Sequence, residues 1–381
     1  MTTHAHPLSA DLESSARKPQ DRPLRKGWTT GACAAAAAAA AWRALNSGAF
    51  ASTVTIRLPR GDTPTFALAT QLLGQDFACA GIVKDAGDDP DVTHGLEIIA
   101  DVQKSRPGQG VTFGAGDGVG TVTLKGLPLP PGEPAINPGP RAQIIQALKD
   151  VSRELGLNDS SGDELPNVHV TISIPGGREV ALKTMNGRLG IQGGLSVLGT
   201  TGVVVPYSCS SWIHSIQRGI DVARAQNFNH VLASTGRTSE AAANQELALP
   251  DEALIDMGDF AGGLLKYVRT RPVDYLTIAG GFAKMSKLAH GAMDLHSSRS
   301  GVDFDYLADL LARIGGPRDA VAEARTAQTA QRVLELAGDS APELAHIVAR
   351  QAREVSLATL AGGTDVQVWV YDRAGRKIGQ S

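Results

Sequence analysis

Apolar and polar positions alternate through most of the first half of the chain. Val54, Ile56 and Leu58; Phe66 and Leu68; Phe77 and Cys79; Leu96 and Ile98; and Val119, Val122 and Leu124 fall near a two-residue period, with Gly and Pro between the runs. A period of two turns one face of an extended segment to a core, so these runs predict antiparallel strands. Two helical patterns interrupt them. Thr29-Thr30-Gly31 precedes an alanine run at 34–41, with Thr30 the expected N-cap. So smooth a helix can lie very close to a sheet, and its first amides are candidates to face an anion. After Pro140, Ile144, Ile145, Leu148, Val151 and Leu155 recur at helical spacing. A further strand is predicted over 168–174.

Beyond Pro206 the rhythm changes to strand, loop, helix. A helix over 211–225 leads to strand Val231-Leu232-Ala233 and the loop Ser234-Thr235-Gly236. Helix 239–247, a short strand around 253–255, helix 260–268 and strand 275–279 ending in Gly280-Gly281 follow. Helical patterns continue to about Leu360, and 366–371 is expected to close the sheet. The repeat implies parallel strands with ligand sites at their carboxyl ends. The fold expected is therefore two-domain, a mainly antiparallel N-terminal α+β domain over 24–200 and a C-terminal α/β domain with a parallel sheet over 201–381. Residues 1–23, polar and aperiodic, are expected to be a disordered tail in which His4 and His6 are incidental.

Composition narrows the function classes. At 381 residues the chain exceeds one ordinary core, and 42% hydrophobic with 20% charged residues is usual for a soluble protein. A net charge of -3 leaves no basic footprint, so no nucleic-acid partner is expected. Cys33, Cys79 and Cys209 are far apart without a CxxC, which argues against a disulfide framework or a zinc site and for a reducing cytoplasm. Arg22, Arg25 and Lys26 before the alanines imitate a secretion signal, but alanine is weakly apolar and the polar stretch ahead is long. No run reaches the length of a membrane span, so no membrane partner is expected. A homo-oligomer is compatible with the sequence and not required by it.

The chemistry concentrates in four segments. In 183–208, six glycines (187, 190, 193, 194, 199 and 202) are interleaved with Lys183, Thr184, Asn186, Arg188, Thr200 and Thr201. Glycines admit close approach of a ligand and the polar residues supply donors for carboxylates or phosphates, so the stretch reads as ligand-facing. The turn Lys84-Asp85-Ala86-Gly87-Asp88-Asp89-Pro90-Asp91-Val92-Thr93-His94 has no recognised metal-ligand spacing. Asp85, Asp88 and His94 are its candidates for acid/base or substrate contact, and no protein metal site is expected. Gly280 to Gly291 would open a helix with Lys284, Lys287 and His290 three residues apart, suited to a polyanion or equally to a solvated face. Arg141, after Asn137-Pro138-Gly139-Pro140, opposes its helix dipole unless it meets an anion. The glycines at 114–120 miss the GxGxxG spacing and read as a hairpin or bulge, and no GxxxxGK[ST] is present.

Taken together, RKGWTTGACAAAA, VKDAGDDPDVTHG, GVGTVTLKGLPLPPGEPAINPGPR, NGRLGIQGGLSVLGTTGVVVPYS and GGFAKMSKLAHGAMDLHS resemble the cobalt-precorrin-5B C1-methyltransferase family of cobalamin biosynthesis, in order from about Leu24 to Ser297. The chain departs from the family pattern at Gly187, where proline is expected, and at Ser234-Thr235-Gly236-Arg237, where many members carry a Gly-Asn-rich loop. The resemblance implies methyl transfer from S-adenosylmethionine to carbon 1 of an anionic tetrapyrrole, giving cobalt-precorrin-6A, with cobalt only as part of the substrate. On that reading Lys183, Asn186, Arg188, Thr200, Thr201, Lys284 and Lys287 contact the substrate. Thr235, Gly236, Gly280 and Gly281 of the C-terminal domain contact the donor, and Asp85, Asp88 and His94 are catalytic. Apart from the resemblance, a small-molecule kinase or phosphotransferase with glycine-loop anion nests, and a non-catalytic tetrapyrrole carrier, stay open.

Overall fold

The computed structural model describes residues 23–157 and 165–381, so the tail expected over 1–23 lies, but for Pro23, outside the described residues. Strand β1 (Gly27–Trp28) leads into helix α1 (Thr30–Ser47). Strands β2 (Thr53–Thr55), β3 (Thr65–Ala67), β4 (Thr70–Leu73) and β5 (Phe77–Val83) follow. Next come β6 (Glu97–Lys104), β7 (Val111–Ala115), the short β8 (Thr121–Val122) and helix α2 (Pro138–Glu154). Strand β9 (Val168–Ser173), helix α3 (Gly177–Ala181), β10 (Ile191–Gln192) and β11 (Val203–Val204) complete this half.

Its main sheet has the order β4-β5-β6-β9-β7, antiparallel except for the β7–β9 pair. Alternation turns Ala78, Ala80, Ile82, Ile98, Ala100, Val102, Val168, Val170 and Ile172 to one face, where α1 and α2 cover them. Small side chains meet on both sides, because residues 32–41 of α1 are all buried alanine or Cys33. Enlarging one of these alanines would overpack the seam, at a cost of about 1–3 kcal/mol. The expected strand at 119–124 contracts to β8 with bridges on either side of it, since Val119 pairs with Leu195 rather than with a strand neighbour.

The N-cap of α1 is Thr29 rather than Thr30: the Thr29 hydroxyl accepts the Ala32 N–H at 3.1 Å. The Thr30 hydroxyl is engaged elsewhere, donating to the Leu198 carbonyl (3.1 Å) and accepting the Leu198 N–H (3.0 Å). Leu198 O also takes the Gly31 N–H at 3.0 Å. The first amides of α1 therefore bind the chain itself, which corrects the anion reading of this helix end.

In the second half, helix α4 (Cys209–Ala225) precedes β12 (His230–Ser234), α5 (Arg237–Leu247) and β13 (Leu254–Asp256). Helix α6 (Ala261–Thr270), β14 (Tyr275–Gly281) and α7 (Phe282–Ala289) continue the repeat. Helices α8 (Phe304–Arg313), α9 (Arg318–Arg325), α10 (Ala330–Ala337) and α11 (Ala341–Leu360) lead to β15 (Asp365–Tyr371) and β16 (Lys377–Gln380). The sheet order is β13-β12-β14-β15-β16, parallel through β15, with β16 antiparallel at the edge. Strand 366–371 is thus interior, and the unexpected β16 closes the sheet. Val231, Ala233, Leu276, Ile278, Val366, Val368 and Val370 face a core built with α4, α6, α7 and α11, while Leu232, Leu254, Ala279, Trp369 and Tyr371 face α5. Both faces are covered, as a parallel sheet requires.

Candidate functional site

Strand β12 lies between β13, reached through α5, and β14, reached through α6. Connections leaving in opposite directions open a crevice beyond the carboxyl end of the central strand. Thr235 and Gly236 follow β12 there, Asp256 ends β13, and Gly280-Gly281 ends β14. A Cβ built on Gly236 or Gly281 meets nothing within 4 Å, whereas one on Gly280 would lie 2.7 Å from Met285 and 2.9 Å from the Thr235 hydroxyl. Gly236 and Gly281 therefore leave main chain open to a ligand, and Gly280 is a packing residue. Glu240, in the first turn of α5, accepts the Ser234 hydroxyl at 3.2 Å. Burial, and then the charge of Glu240, raise the Asp256 carboxyl above its ordinary value.

The N-terminal half reaches this edge through Arg188. Its guanidinium donates to both Glu240 oxygens, at 2.7 and 3.0 Å, across 52 residues of sequence. A second link runs from the acidic turn. Asp89 accepts the Tyr207 N–H at 2.8 Å, and nearby Trp212 donates its indole N–H to the Asp256 carbonyl at 3.1 Å. The turn at 84–94 and the loop around Arg188 are both tied to the neighbourhood of Asp256.

Within the turn, charges are matched internally. Asp85 forms a two-pronged ion pair with Arg25, whose hydrogen bonds hold the carboxyl down at about 2. Asp88 accepts the Arg25 N–H at 2.7 Å. Lys84 is buried, 2% exposed, and its ammonium meets Asp91 at 2.5 Å. Burial pushes the Asp91 carboxyl up, but Lys84 and Thr93 outweigh it and hold it below the usual range. His94 accepts the Ala86 N–H on Nδ1 at 3.1 Å, which leaves Nε2 as the ring's donor nitrogen. The segment ahead of α1 is clamped onto this turn, since a Cβ on Gly27 would lie 2.0 Å from the Ala86 carbonyl carbon. A carboxylate so acidic and so fully bonded is a poor proton acceptor at neutral pH, which argues against Asp85 as the base.

Several residues expected to hold substrate are engaged elsewhere. Lys284 pairs with Asp259 (3.0 Å) and donates to the Thr235 carbonyl (3.2 Å), joining loops of the crevice. Lys287 is buried, donates to the Leu295 carbonyl at 2.9 Å, and has its pKa lowered by that burial. His290 stacks on Tyr306 at 4.6 Å. The three do not form one cationic face. Asn186 is buried and donates to the Gly194 carbonyl (3.3 Å), and the Thr201 hydroxyl donates to the Val203 carbonyl (3.2 Å). Lys183 and Thr200 are exposed. Arg141 bonds the Ile136 carbonyl (2.8 Å) and Glu133 (2.8 Å). The glycine-rich stretch is largely a packing seam: a Cβ on Gly194 would meet Gly118 O at 2.3 Å, and one on Gly199, at φ 117°, would meet Thr29 at 2.3 Å. Gly187 and Gly193 face open space.

Asp256, Glu240 and Arg25 escaped the sequence reading. A carboxylate closing the strand after a glycine turn was the available signal for Asp256, which follows Gly236 by 20 residues. Among the described residues no group of three or more His, Cys, Asp or Glu could hold a metal ion, and no helix is long and apolar enough to cross a membrane.

These features define a mixed α/β protein with polar loops at the carboxyl edge of a parallel sheet, joined to an antiparallel α+β half. The family model described as CbiD matches residues 17–206, and that described as CbiD, C-terminal domain, matches 294–381. Proteins named cobalt-precorrin-5B C(1)-methyltransferase are 54% identical over 360 residues in Brucella canis (94% of this chain, 96% of that protein). The protein of that name in Brucella anthropi is 54% identical over 367 residues, covering 96% of this chain and 98% of its own. The chain belongs to the CbiD family, as the sequence blocks implied. A crystal structure of the cobalamin biosynthesis protein (cbiD) from Archaeoglobus fulgidus is 28% identical and covers 72% of this chain and 83% of its own, with a TM-score of 0.38.

Proposed function

We propose that this chain is a cytoplasmic enzyme that methylates carbon 1 of cobalt-precorrin-5B to give cobalt-precorrin-6A, with S-adenosylmethionine as donor. The observation that carries this reading is the 54% identity, over nearly the whole of both chains, to proteins named for that reaction. The donor supplies an electrophilic methyl on a sulfonium, and the cobalt belongs to the substrate. Positioning of the acceptor carbon in line with that methyl accounts for much of the acceleration.

The geometry supports a division of labour, with residues 24–200 gripping the macrocycle and 201–381 the donor. Main chain at Thr235, Gly236 and Gly281 binds the donor, and Gly280 shapes that edge by packing under Thr235. The Arg188–Glu240 pair holds the 183–194 loop against it. Lys183 and Thr200 meet substrate carboxylates, supported by Asn186 and Thr201, while Arg188, Lys284 and Lys287 position loops. His94 offers an N–H donor to the macrocycle. Asp88 accepts a proton when the ring must release electron density, and Asp85 positions the turn through Arg25.

The purified protein, given the macrocycle and donor carrying a labelled methyl, should transfer label to the corrinoid; a macrocycle that stays unlabelled overturns the reading. Asp88→Asn should lower turnover about 100-fold while affinity for S-adenosylhomocysteine stays unchanged. Full turnover in that variant removes the proton-acceptor role.

A further inference from the structure

Asp256 is the register partner of Ser234, the last residue of β12, and its side chain shares the α5 face with Ser234 and Glu240. It follows the glycine turn by 20 residues at the end of the adjacent parallel strand. In open α/β sheets a carboxylate at that place receives ribose hydroxyls.

The surroundings of this carboxylate carry the inference. It is half-buried and faces Glu240. The nearby cations are committed to other partners: Arg188 to both oxygens of Glu240, and Lys284 to Asp259 and the Thr235 carbonyl. Among the described residues no side chain donates to it, and the nearby Gly258 N–H donates to the Ser234 carbonyl at 3.2 Å. Neighbouring buried polar groups are satisfied by comparison, Glu240 by Arg188 and Ser234. A partly desolvated carboxylate short of donors is stabilised by a ligand that brings them. A vicinal diol brings two O–H groups. The open main chain at Gly236 and Gly281 leaves room for the rest of a nucleoside beside it.

We infer that Asp256 accepts the ribose hydroxyls of the methyl donor and makes the crevice selective for an adenosyl ribonucleoside. This rests on the reading of the carboxyl edge as the donor site. Glu240, already saturated by Arg188 and Ser234, holds the 183–194 loop and leaves the diol to Asp256.

The test is isothermal titration of the full chain with S-adenosylhomocysteine and with its 2′,3′-dideoxy counterpart. The native protein should prefer the natural ligand by about 10–100-fold, as for a pair of hydrogen bonds to a charged group. Asp256→Asn, which keeps the shape and the Trp212 bond to the main chain, should bind the two ligands within about 3-fold of each other. A native protein that binds S-adenosylhomocysteine but ignores the missing hydroxyls overturns the role of Asp256, as does a variant that keeps the full preference. Should the variant not fold, the native comparison alone decides. A native protein that does not bind S-adenosylhomocysteine at all removes the donor site itself, a different failure from the first.

Discussion

The acidic turn at 84–94 and the carboxyl edge of the parallel sheet both gather carboxylates, lysine and arginine within a few ångströms. In the turn, Asp85 faces Arg25, Asp91 faces Lys84, and Asp89 takes a main-chain N–H. At the edge, Glu240 has Arg188, while Asp256 beside it has no side-chain donor among the described residues. Density of charge is thus a poor guide to a ligand site, because a polar cluster that satisfies itself can simply be structure. The informative group is the one left incomplete. By that criterion the turn is mainly a clamp that fixes the chain ahead of α1, and the carboxyl edge, with its incompletely bonded Asp256, is the stronger candidate for a ligand site.

The difference can be broken most forcefully at Lys84. Lys84→Met should destabilise the fold by about 3 kcal/mol, because it leaves Asp91 half-buried without its cation. Denaturant unfolding measures this. Adding Asp91→Leu should recover most of the loss, since two apolar groups of similar volume tolerate the site that one charge does not. A single variant as stable as the native chain would mean that the turn is not held together from within.

At the carboxyl edge the corresponding ion pair is Arg188–Glu240. Arg188→Ala strands Glu240, whose side chain is 11% exposed, next to Asp256. The expected cost is about 2 kcal/mol in stability, with a double-mutant cycle against Glu240→Gln giving a coupling of about 1–3 kcal/mol. Methyl transfer should fall as well, because the 183–194 loop loses its tie to the edge. Coupling near zero would make the pair incidental to the junction.

Much of the scaffold was legible because it obeys short-range periodicity. The β12–α5–β13–α6–β14 run follows from alternating strand and helix patterns, and α1 from its alanines. What escaped depends on partners far apart in sequence: Arg25 and Asp85 are 60 residues apart, and Arg188 and Glu240 are 52 apart. No local pattern announces such pairs, so Arg188, Lys284 and Lys287 looked free for substrate when each was committed within the fold. The glycines of 183–208 misled for a related reason. A glycine that admits a ligand and one that admits a neighbouring backbone are the same letter, and only the contacts around Gly194 and Gly199 separate them. Strand β16 is four residues long and lacks an alternating run, so its pairing with β15 had no sequence signal.

The mildest perturbation is pH, and it addresses the clamp alone. Arg25 hydrogen bonds lower the Asp85 carboxyl from 3.8 to about 2. For a carboxyl depressed on folding, the linked stability is fully present above the unfolded value and is lost as pH falls through the folded one. The Arg25–Asp85 contribution should therefore be complete at pH 5 and above and fade between about pH 4 and pH 2. Both side chains are substantially exposed, so the effect on global unfolding is small and screened by salt. A carboxyl-detected NMR titration reads it directly, and Arg25→Ala should return Asp85 toward 3.8. An Asp85 that titrates near 3.8 in the native chain would show the clamp open in solution and would restore that carboxylate as a candidate base.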